Sequence, residues 1–187
     1  VITDGSLGGH TAAMDDPYED QPDERGMLRV TREDTLAVSR RALDLGGVVA
    51  IHAIGDQANA FTLDVFETLR EEGAPDGSLR VEHPSVMREK DFERMGSLGV
   101  IASVQPAFLA SEQSWLADRV GARTERTYAF RTMAESGALL AGGSDCPVEP
   151  PHPLWGMAAA RQRGTSTPRE ELSREGVLAA LTSGAAR

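Results

Sequence analysis

The segment 47–69, GVVAIHAIGDQANAFTLDVFETL, decides the fold class of this chain. Its apolar run 48–51 contains β-branched residues, which predicts a strand buried on both faces. His52 follows at the carboxyl end of that strand, and the tight turn 54–56 leads into apolar residues at the spacing of a core-facing helix. A strand, a polar residue at its tip and a covering helix make one βα unit, and in parallel α/β folds the chemistry lies at such tips.

Three further strand–helix units are predicted along the chain. Strands are expected at 79–83, 100–105 and 138–141, where short apolar runs are closed by a proline or a glycine turn. A strand end at 1–5 comes before them, and Thr31 with Asp34 forms a capping box that opens the first helix. The alternation of strands and helices predicts a parallel sheet. The expected helices cover 31–45, 56–69, 89–98, 111–120, 128–136, 154–163 and 172–186.

The number of strands limits the architecture. A complete (β/α)₈ barrel needs about 250 residues, whereas this chain has 187. We therefore expect an α/β fold of the TIM type, present as a partial barrel of about five strands and forming one domain over residues 1–187. The connection 6–28 has little periodicity, which is typical of a lid, a binding loop or a disordered segment. An open sheet exposes a strand edge and apolar faces, so we expect self-association into a homo-oligomer.

Composition excludes several classes of partner. The formal net charge is -10, from 29 acidic and 19 basic residues, so the surface repels nucleic acid and anionic membranes. The sequence contains no span of roughly 20 apolar residues. The single cysteine, Cys146, cannot form an internal disulfide and is expected to pack rather than to react. These features predict a cytoplasmic protein whose partner is a small-molecule substrate.

Three predicted strands end in residues that bind metals or transfer protons, namely His52, His83 and Asp145. In a parallel barrel all strand tips open on one face, so these three side chains are expected to converge. Two imidazoles and a carboxylate suit a borderline cation such as zinc, with one position left for water. Such an ion lowers the pKa of water and polarises a carbonyl, and a neighbouring carboxylate can take up the proton.

Each of these residues also has a structural interpretation. A single histidine near a strand end is more often a hydrogen-bonded structural residue than a ligand. Asp145 could cap a turn, and Asp56 could be the N-cap of the following helix. The coincidence of three such residues at three strand tips favours a functional site.

Several motifs resemble the metal-dependent amidohydrolase superfamily, and more narrowly its branch of N-substituted formamide deformylase-like enzymes. They cover nearly the whole chain in the order expected for the carboxyl-terminal part of the catalytic barrel. The motifs are Asp4-Gly-Ser-Leu-Gly8 with Thr11-Ala12, His52-Ala-Ile-Gly-Asp56-Gln-Ala58, Glu82-His83, Val104-Gln-Pro106 and Gly143-Ser-Asp-Cys-Pro147.

The resemblance implies a role for each matching residue. His52 and His83 would be the metal ligands of the fifth and sixth barrel strands. Asp145 would be the carboxylate of the eighth strand, which touches the metal and acts as general base toward the attacking water. The resemblance places further residues where they would orient a ligand or contact substrate: Asp56, Gln105, Asp4 and His10.

The same resemblance implies a hydrolase of amide or other non-peptide C–N bonds, with one or two divalent ions, most suitably zinc, in the complete enzyme. Members carry a His-x-His pair on the first strand, and this sequence contains none. Many also use a lysine or acidic residue near the fourth strand, and Lys90 does not match that position. We therefore expect this chain to hold about half of a metal site, with the other ligands preceding Val1.

Two other hypotheses remain open from the sequence. One is a metal-free partial barrel that serves as a binding or oligomerisation module. The other is a barrel enzyme in which Asp145 and the histidines act as acid–base groups without metal. Four aromatic residues are expected to pack in the core or, alternatively, to line an apolar substrate pocket: Phe108, Trp115, Tyr128 and Phe130.

Overall fold

The sheet of this protein has four parallel strands that lie side by side in sequence order. The structure is a computed structural model that describes residues 1–162 and 167–186. The predicted α/β fold with a parallel sheet is thereby confirmed. The strands are β1 (Val49–His52), β2 (Leu79–Glu82), β3 (Ile101–Val104) and β4 (Leu139–Gly142).

A short segment at the start of the chain extends this sheet beyond β1. Ile2 forms a parallel bridge with His52. The His52 N–H donates to the Val1 carbonyl at 2.9 Å, and the Thr3 N–H donates to the His52 carbonyl at 3.1 Å. The four strands and this bridge together match the expectation of about five strands.

Helices follow the strands as the alternating pattern predicts. Along the outside, α1 packs against α2, α2 against α3 and α3 against α6, while α4 packs against α7. The helices are α1 (Arg32–Asp44), α2 (Asp56–Glu71), α3 (Glu89–Ser97), α4 (Phe108–Glu112), α5 (Leu116–Val120), α6 (Phe130–Glu135), α7 (Pro153–Arg161) and α8 (Arg174–Ala179). Three shorter helical segments complete the list: 3₁₀ turns at Gly121–Arg126 and Pro168–Glu170, and a π-helical turn at Ala180–Gly184 that continues α8.

The start of α1 shows how local sequence sets these boundaries. The Thr31 hydroxyl accepts a hydrogen bond from the Asp34 N–H at 3.1 Å and donates to the Asp34 carboxylate at 2.7 Å. The bond from the Asp34 N–H is the N-cap half of the predicted capping box, and it satisfies a backbone donor that the first helical turn leaves free. The Asp34 carboxylate accepts from the Thr31 hydroxyl instead of the Thr31 backbone N–H, so the reciprocal half of the box is not formed. Part of the predicted helix 154–163 lies outside the described residues.

The long connection 6–28 contains no helix or strand, but it is part of the core. Most of its apolar side chains pack inward, although Met27 is exposed, and the Tyr18 hydroxyl donates to the Ala12 carbonyl at 2.8 Å. Arg123, itself buried, donates to the carbonyls of Asp16 and Pro17 at 2.8 and 2.6 Å. The connection is therefore a packed loop rather than a disordered segment, and it reaches the carboxyl ends of the strands.

Candidate metal centre

The carboxyl ends of β1, β2 and β4 bring together the three residues that the sequence singles out. The rings of His52 and His83 lie edge to face, with centroids 5.0 Å apart. Nε2 of His83 lies 3.9 Å from Oδ2 of Asp145. Residues far apart in sequence thus meet at one face of the parallel sheet because every strand ends at that face.

The hydrogen bonds of His83 orient its ring. Nδ1 of His83 lies 2.7 Å from Oε1 of Gln105, while the Gln105 amide nitrogen donates to the Ser103 carbonyl at 3.4 Å. Because that nitrogen faces Ser103, the amide oxygen faces the ring and accepts the Nδ1 proton. His83 therefore presents an unprotonated Nε2 toward Asp145, as a metal ligand requires.

His52 is held through its opposite nitrogen. Its Nε2 lies 3.0 Å from the Gly5 carbonyl, which can only accept, and 3.4 Å from Oδ1 of Asp4. The proton of the neutral ring therefore sits on Nε2, and Nδ1 keeps its lone pair. Burial alone would lower the pKa of His52, but the hydrogen bonds to Asp4 and Gly5 and the charges of Asp4 and Asp145 outweigh it and raise that pKa.

Asp4 is the residue that fixes this arrangement. Its side chain is fully buried, and its two oxygens accept hydrogen bonds from the backbone N–H groups of Ala13, Ile54 and Gly55 at 2.9–3.1 Å. These contacts connect the segment 1–5 to the long connection 6–28 and to the turn after β1. Because its oxygens are occupied by backbone donors, Asp4 orients His52 and does not line the cavity described below.

Backbone strain marks the same place. Within residues 1–162 and 167–186, four residues other than glycine have positive φ: His10, His83, Tyr128 and Asp145. Positive φ is costly for side chains with a Cβ atom and concentrates at functional sites. His83 (φ 61°) and Asp145 (φ 56°) are two of the three predicted ligands. The fold thus tolerates strain to aim these side chains.

The donor set suits a divalent ion. Two imidazole nitrogens with free lone pairs and one carboxylate are the ligand types that zinc and related ions prefer. In the described part of the chain, no three His, Cys, Asp or Glu side chains already enclose a metal position. His52, His83 and Asp145 are the residues that would hold such an ion, because the hydrogen bonds to Gly5 and Gln105 leave one nitrogen of each ring free and the Asp145 carboxylate lies 3.9 Å from His83.

A cavity of about 220 Å³ opens beside these residues. A larger cavity of about 270 Å³ lies between α4 and α7, but no acidic, basic or histidine side chain lines it. A third cavity, of about 710 Å³ beside α6, is lined by acidic and basic side chains but by no histidine. The cavity of about 220 Å³ is thus the one that borders His52, His83 and Asp145. Phe108 stacks on the His83 ring in its wall, at 6.1 Å between centroids. The lining residues are Ser6, Leu7, His52, Ile54, His83, Phe108, Ser111, Glu112, Tyr128, Asp145, Val148 and Glu149.

One lining residue, Glu112, was missed by the sequence analysis. Glu112, on α4, accepts a hydrogen bond from the Tyr128 hydroxyl at 2.6 Å. Burial raises the pKa of Glu112 to about 7, although the bond from Tyr128 opposes the shift. Of the four aromatic residues considered, Phe108 and Tyr128 line the cavity, whereas Phe130 is buried and Trp115 stacks under Arg119.

Asp56 and His10 lie apart from the three ligands. Asp56 is buried in the first turn of α2, where it accepts from the Asp15 N–H at 2.9 Å and from Arg126 at 3.1 Å, and Gly55 occupies the N-cap position. His10 bonds Asp20 at 3.0 Å on the loop surface. Neither residue lines the cavity. Cys146, expected to pack, is exposed, so that prediction is wrong.

Comparison with known proteins agrees with this geometry. The chain matches the sequence profile of the amidohydrolase family over residues 1–187. The chain belongs to the amidohydrolase family. The chain is 37% identical over 169 residues to the putative amidohydrolase YtcJ of Bacillus subtilis (strain 168), an alignment that covers 89% of this chain and 31% of YtcJ.

Two further proteins are similar to this chain. An uncharacterized metal-dependent hydrolase from Pyrococcus horikoshii OT3 superposes with a TM-score of 0.91 at 39% identity, covering all of this chain and 38% of that one. The N-substituted formamide deformylase of Arthrobacter pascens is 29% identical over 135 residues, which are 70% of this chain and 25% of the enzyme. The chain thus spans about a third of the length of the relatives it matches.

The family and the name of the Pyrococcus protein support hydrolase function and a divalent metal. Membership in the superfamily is confirmed, whereas the deformylase-like branch stays a prediction. In the described residues, no helix is long and apolar enough to cross a membrane.

Proposed function

We propose that this chain supplies the fifth-, sixth- and eighth-strand part of the active site of a metal-dependent hydrolase that cleaves an amide or other non-peptide C–N bond. The observation that carries the proposal is the paired orientation of the two histidines. Each ring gives one nitrogen to an oxygen acceptor, Gly5 for His52 and Gln105 for His83, and so frees the other nitrogen. What favours a ligand set over two structural histidines is that both rings lie together, 5.0 Å apart, beside the Asp145 carboxylate.

The residues of the site would divide the work. When bound, a zinc or similar ion would supply Lewis-acid polarisation of the substrate carbonyl and a water of lowered pKa. Asp145 is exposed enough to meet water and lies 3.9 Å from His83. Its carboxylate would accept the proton of the attacking water and return it to the leaving nitrogen. Gln105 and Asp4 would act through His83 and His52, which they orient.

The substrate is proposed from the relatives and from the cavity. The name of the Arthrobacter enzyme points to an N-substituted amide of small size. The cavity, at about 220 Å³, is below the roughly 300–1,000 Å³ of pockets for drug-sized ligands. Its walls combine Phe108, Leu7 and Ile54 with a few polar groups, which suits an amide with an apolar substituent.

Zinc titration of the metal-free protein tests the proposal. We expect binding in the wild type, with affinity lost in His52→Ala and His83→Ala. His152→Asn is the matched control, because His152 is exposed and caps α7, a role that asparagine also fills. Unchanged affinity in both alanine variants, or no zinc binding at all, would refute the proposal.

Activity measurements separate the remaining alternatives. Hydrolysis of small N-substituted amides that disappears on chelation and returns with zinc supports the metal-dependent mechanism. Hydrolysis that survives exhaustive chelation instead indicates acid–base catalysis by Asp145 and the histidines. Absence of both metal binding and hydrolysis indicates a binding or oligomerisation module.

A further inference from the structure

Glu112 shares the candidate site with the histidines but has no part in metal binding. Its Oε2 accepts the bond from the Tyr128 hydroxyl, while its other oxygen makes no hydrogen bond within the described residues. Both side chains line the same cavity as His52, His83 and Asp145. The pair therefore offers one carboxylate oxygen to whatever occupies that cavity.

Tyr128 holds this carboxylate in place at a conformational cost. Its backbone has a φ of 53°, its ring is only 4% exposed, and its N–H donates to the Ser85 carbonyl at 2.7 Å. The ring also packs near Phe130, at 6.0 Å between centroids. A bulky residue keeps positive φ only where the surrounding structure over-determines it. Glu112 is thus bonded to a rigid anchor.

Apart from the two histidines, every ionisable side chain with an acidic or basic group in the cavity wall is acidic. Glu112, Asp145 and Glu149 line it, and no lysine or arginine of the described chain does. Arg119 is the basic residue whose charge reaches Glu112. Its guanidinium, however, donates to the carbonyls of Leu7 and Gly8 and to Asp20, and stacks on Trp115.

We propose that Glu112, oriented by Tyr128, is a specificity-determining residue that selects substrates carrying a positively charged amine and disfavours substrates carrying a carboxylate. The inference rests on the proposed function for its premise that the cavity is the substrate site. A cation beside Glu112 would complete the hydrogen bonding of its free oxygen and offset a poorly solvated negative charge. A carboxylate would add a like charge to three acids and meet no cationic side chain.

Equilibrium binding of three probes of similar shape tests this selectivity on the full chain. Benzylammonium, benzyl alcohol and benzoate are titrated calorimetrically at pH 8 in EDTA, so that Glu112 is ionised and metal is absent. We expect benzylammonium to bind roughly tenfold more tightly than benzyl alcohol, the size of one charge-assisted hydrogen bond. Benzoate is expected to bind more weakly than the alcohol.

Variants assign the selectivity to one residue. Glu112→Gln is expected to remove the preference for the ammonium over the alcohol, and Tyr128→Phe to reduce it by roughly threefold, because the carboxylate loses its anchor but keeps its charge. Glu149→Gln is the matched control, since it removes a charge from the same wall without the Tyr128 contact. It is expected to leave most of the preference intact.

Three results would overturn the inference: no detectable benzylammonium binding, an unchanged preference in Glu112→Gln, or an equal loss in Glu112→Gln and Glu149→Gln. Circular dichroism confirms that each variant is folded. Because the probes are bound without metal or turnover, failure here is distinct from failure of the hydrolase proposal. Zinc titration of Glu112→Gln, expected to match the wild type, completes the separation.

Discussion

The amide oxygen of Gln105 lies 2.7 Å from Nδ1 of His83, on the side of the ring away from Asp145. The two residues come from neighbouring strands, β2 and β3, whose ends are aligned by parallel pairing. This contact decides which nitrogen of His83 is free, and it connects sheet register directly to metal chemistry.

Replacing Gln105 by leucine is therefore expected to weaken zinc binding without removing a ligand. Loss of a hydrogen-bond acceptor behind a ligating histidine typically costs about 10–100-fold in metal affinity. Competition titration against a chelator of known affinity measures the effect. Gln113→Leu, at an exposed position after α4, serves as control and is expected to bind zinc like the wild type. Equal affinity in the two variants would contradict the role of Gln105.

Asp4→Asn is expected to destabilise the fold as well as the site. The carboxylate now accepts hydrogen bonds from three backbone N–H groups, and the asparagine NH₂ group would face one or more of these donors. Loss of a buried hydrogen bond to a charged group costs about 1.5–3 kcal/mol. Urea unfolding measures the change in the free energy of unfolding. The control is Asp23→Asn, at an exposed position in the connection 6–28, whose free energy of unfolding is expected to lie within about 0.5 kcal/mol of that of the wild type. A stable Asp4→Asn protein would show that the three bonds contribute little.

Gly55→Ala tests how tightly the turn after β1 is packed. A Cβ atom at Gly55 would lie 1.9 Å from the Ala13 carbonyl oxygen, so backbone must move. Such overpacking typically costs about 1–3 kcal/mol, and here it would also displace the Gly55 N–H from Asp4. Thermal melting and zinc titration are both expected to report a loss. The control is Gly8→Ala, where an added Cβ meets only Trp115 at 4.0 Å; equal melting of the two variants would argue against a tight turn.

Glu112 makes stability depend on pH in a defined direction. Burial raises its pKa to about 7 in the folded chain from an ordinary value of 4.5, so the folded state binds more protons than the unfolded state between these values. Its contribution to stability is therefore present at low pH and is lost as pH rises from about 4.5 to 7. Glu112→Gln is expected to match the wild type near pH 5 and to exceed it at pH 8, by on the order of 1–3 kcal/mol.

Paired denaturation curves of the wild type and Glu112→Gln at the two pH values measure this difference. Glu149→Gln is the control for removal of a nearby acid that lacks the bond from Tyr128. A constant difference between wild type and Glu112→Gln across this range would mean that the carboxyl group is already well solvated in the folded chain.

Local patterns in the sequence were enough to predict the sheet and the ligand-bearing strand tips. The β-branched run before His52, the stop at Pro84 after His83 and the glycine turn before Asp145 each mark a strand end within a few residues. Parallel pairing then brings these strand ends to the same face of the sheet, whatever the loops between them contain. The N-cap contact of Thr31 is equally local and is predictable for the same reason.

The residues that sequence reasoning missed depend on contacts between distant segments. In the sequence, Glu112 looks like an ordinary polar helix residue. Only the fold brings Tyr128 against it, after α5 and the 3₁₀ segment at Gly121–Arg126. The positive φ of Tyr128 leaves no composition signal, because no glycine or asparagine marks it. Likewise, nothing in the motif around Asp56 reveals that Asp15 and Arg126 engage it away from the histidines.

The bridge between Ile2 and His52 has a consequence for the order of assembly. Val1 and Thr3 bond the main chain of His52, and Gly5 bonds its ring, so three residues align His52 from a distance of about fifty positions. The βα units from β1 to β4 are built from contacts closer in sequence, and such contacts generally form faster. We therefore expect the candidate metal site to form last during folding, when the segment 1–5 docks against a sheet that has already formed.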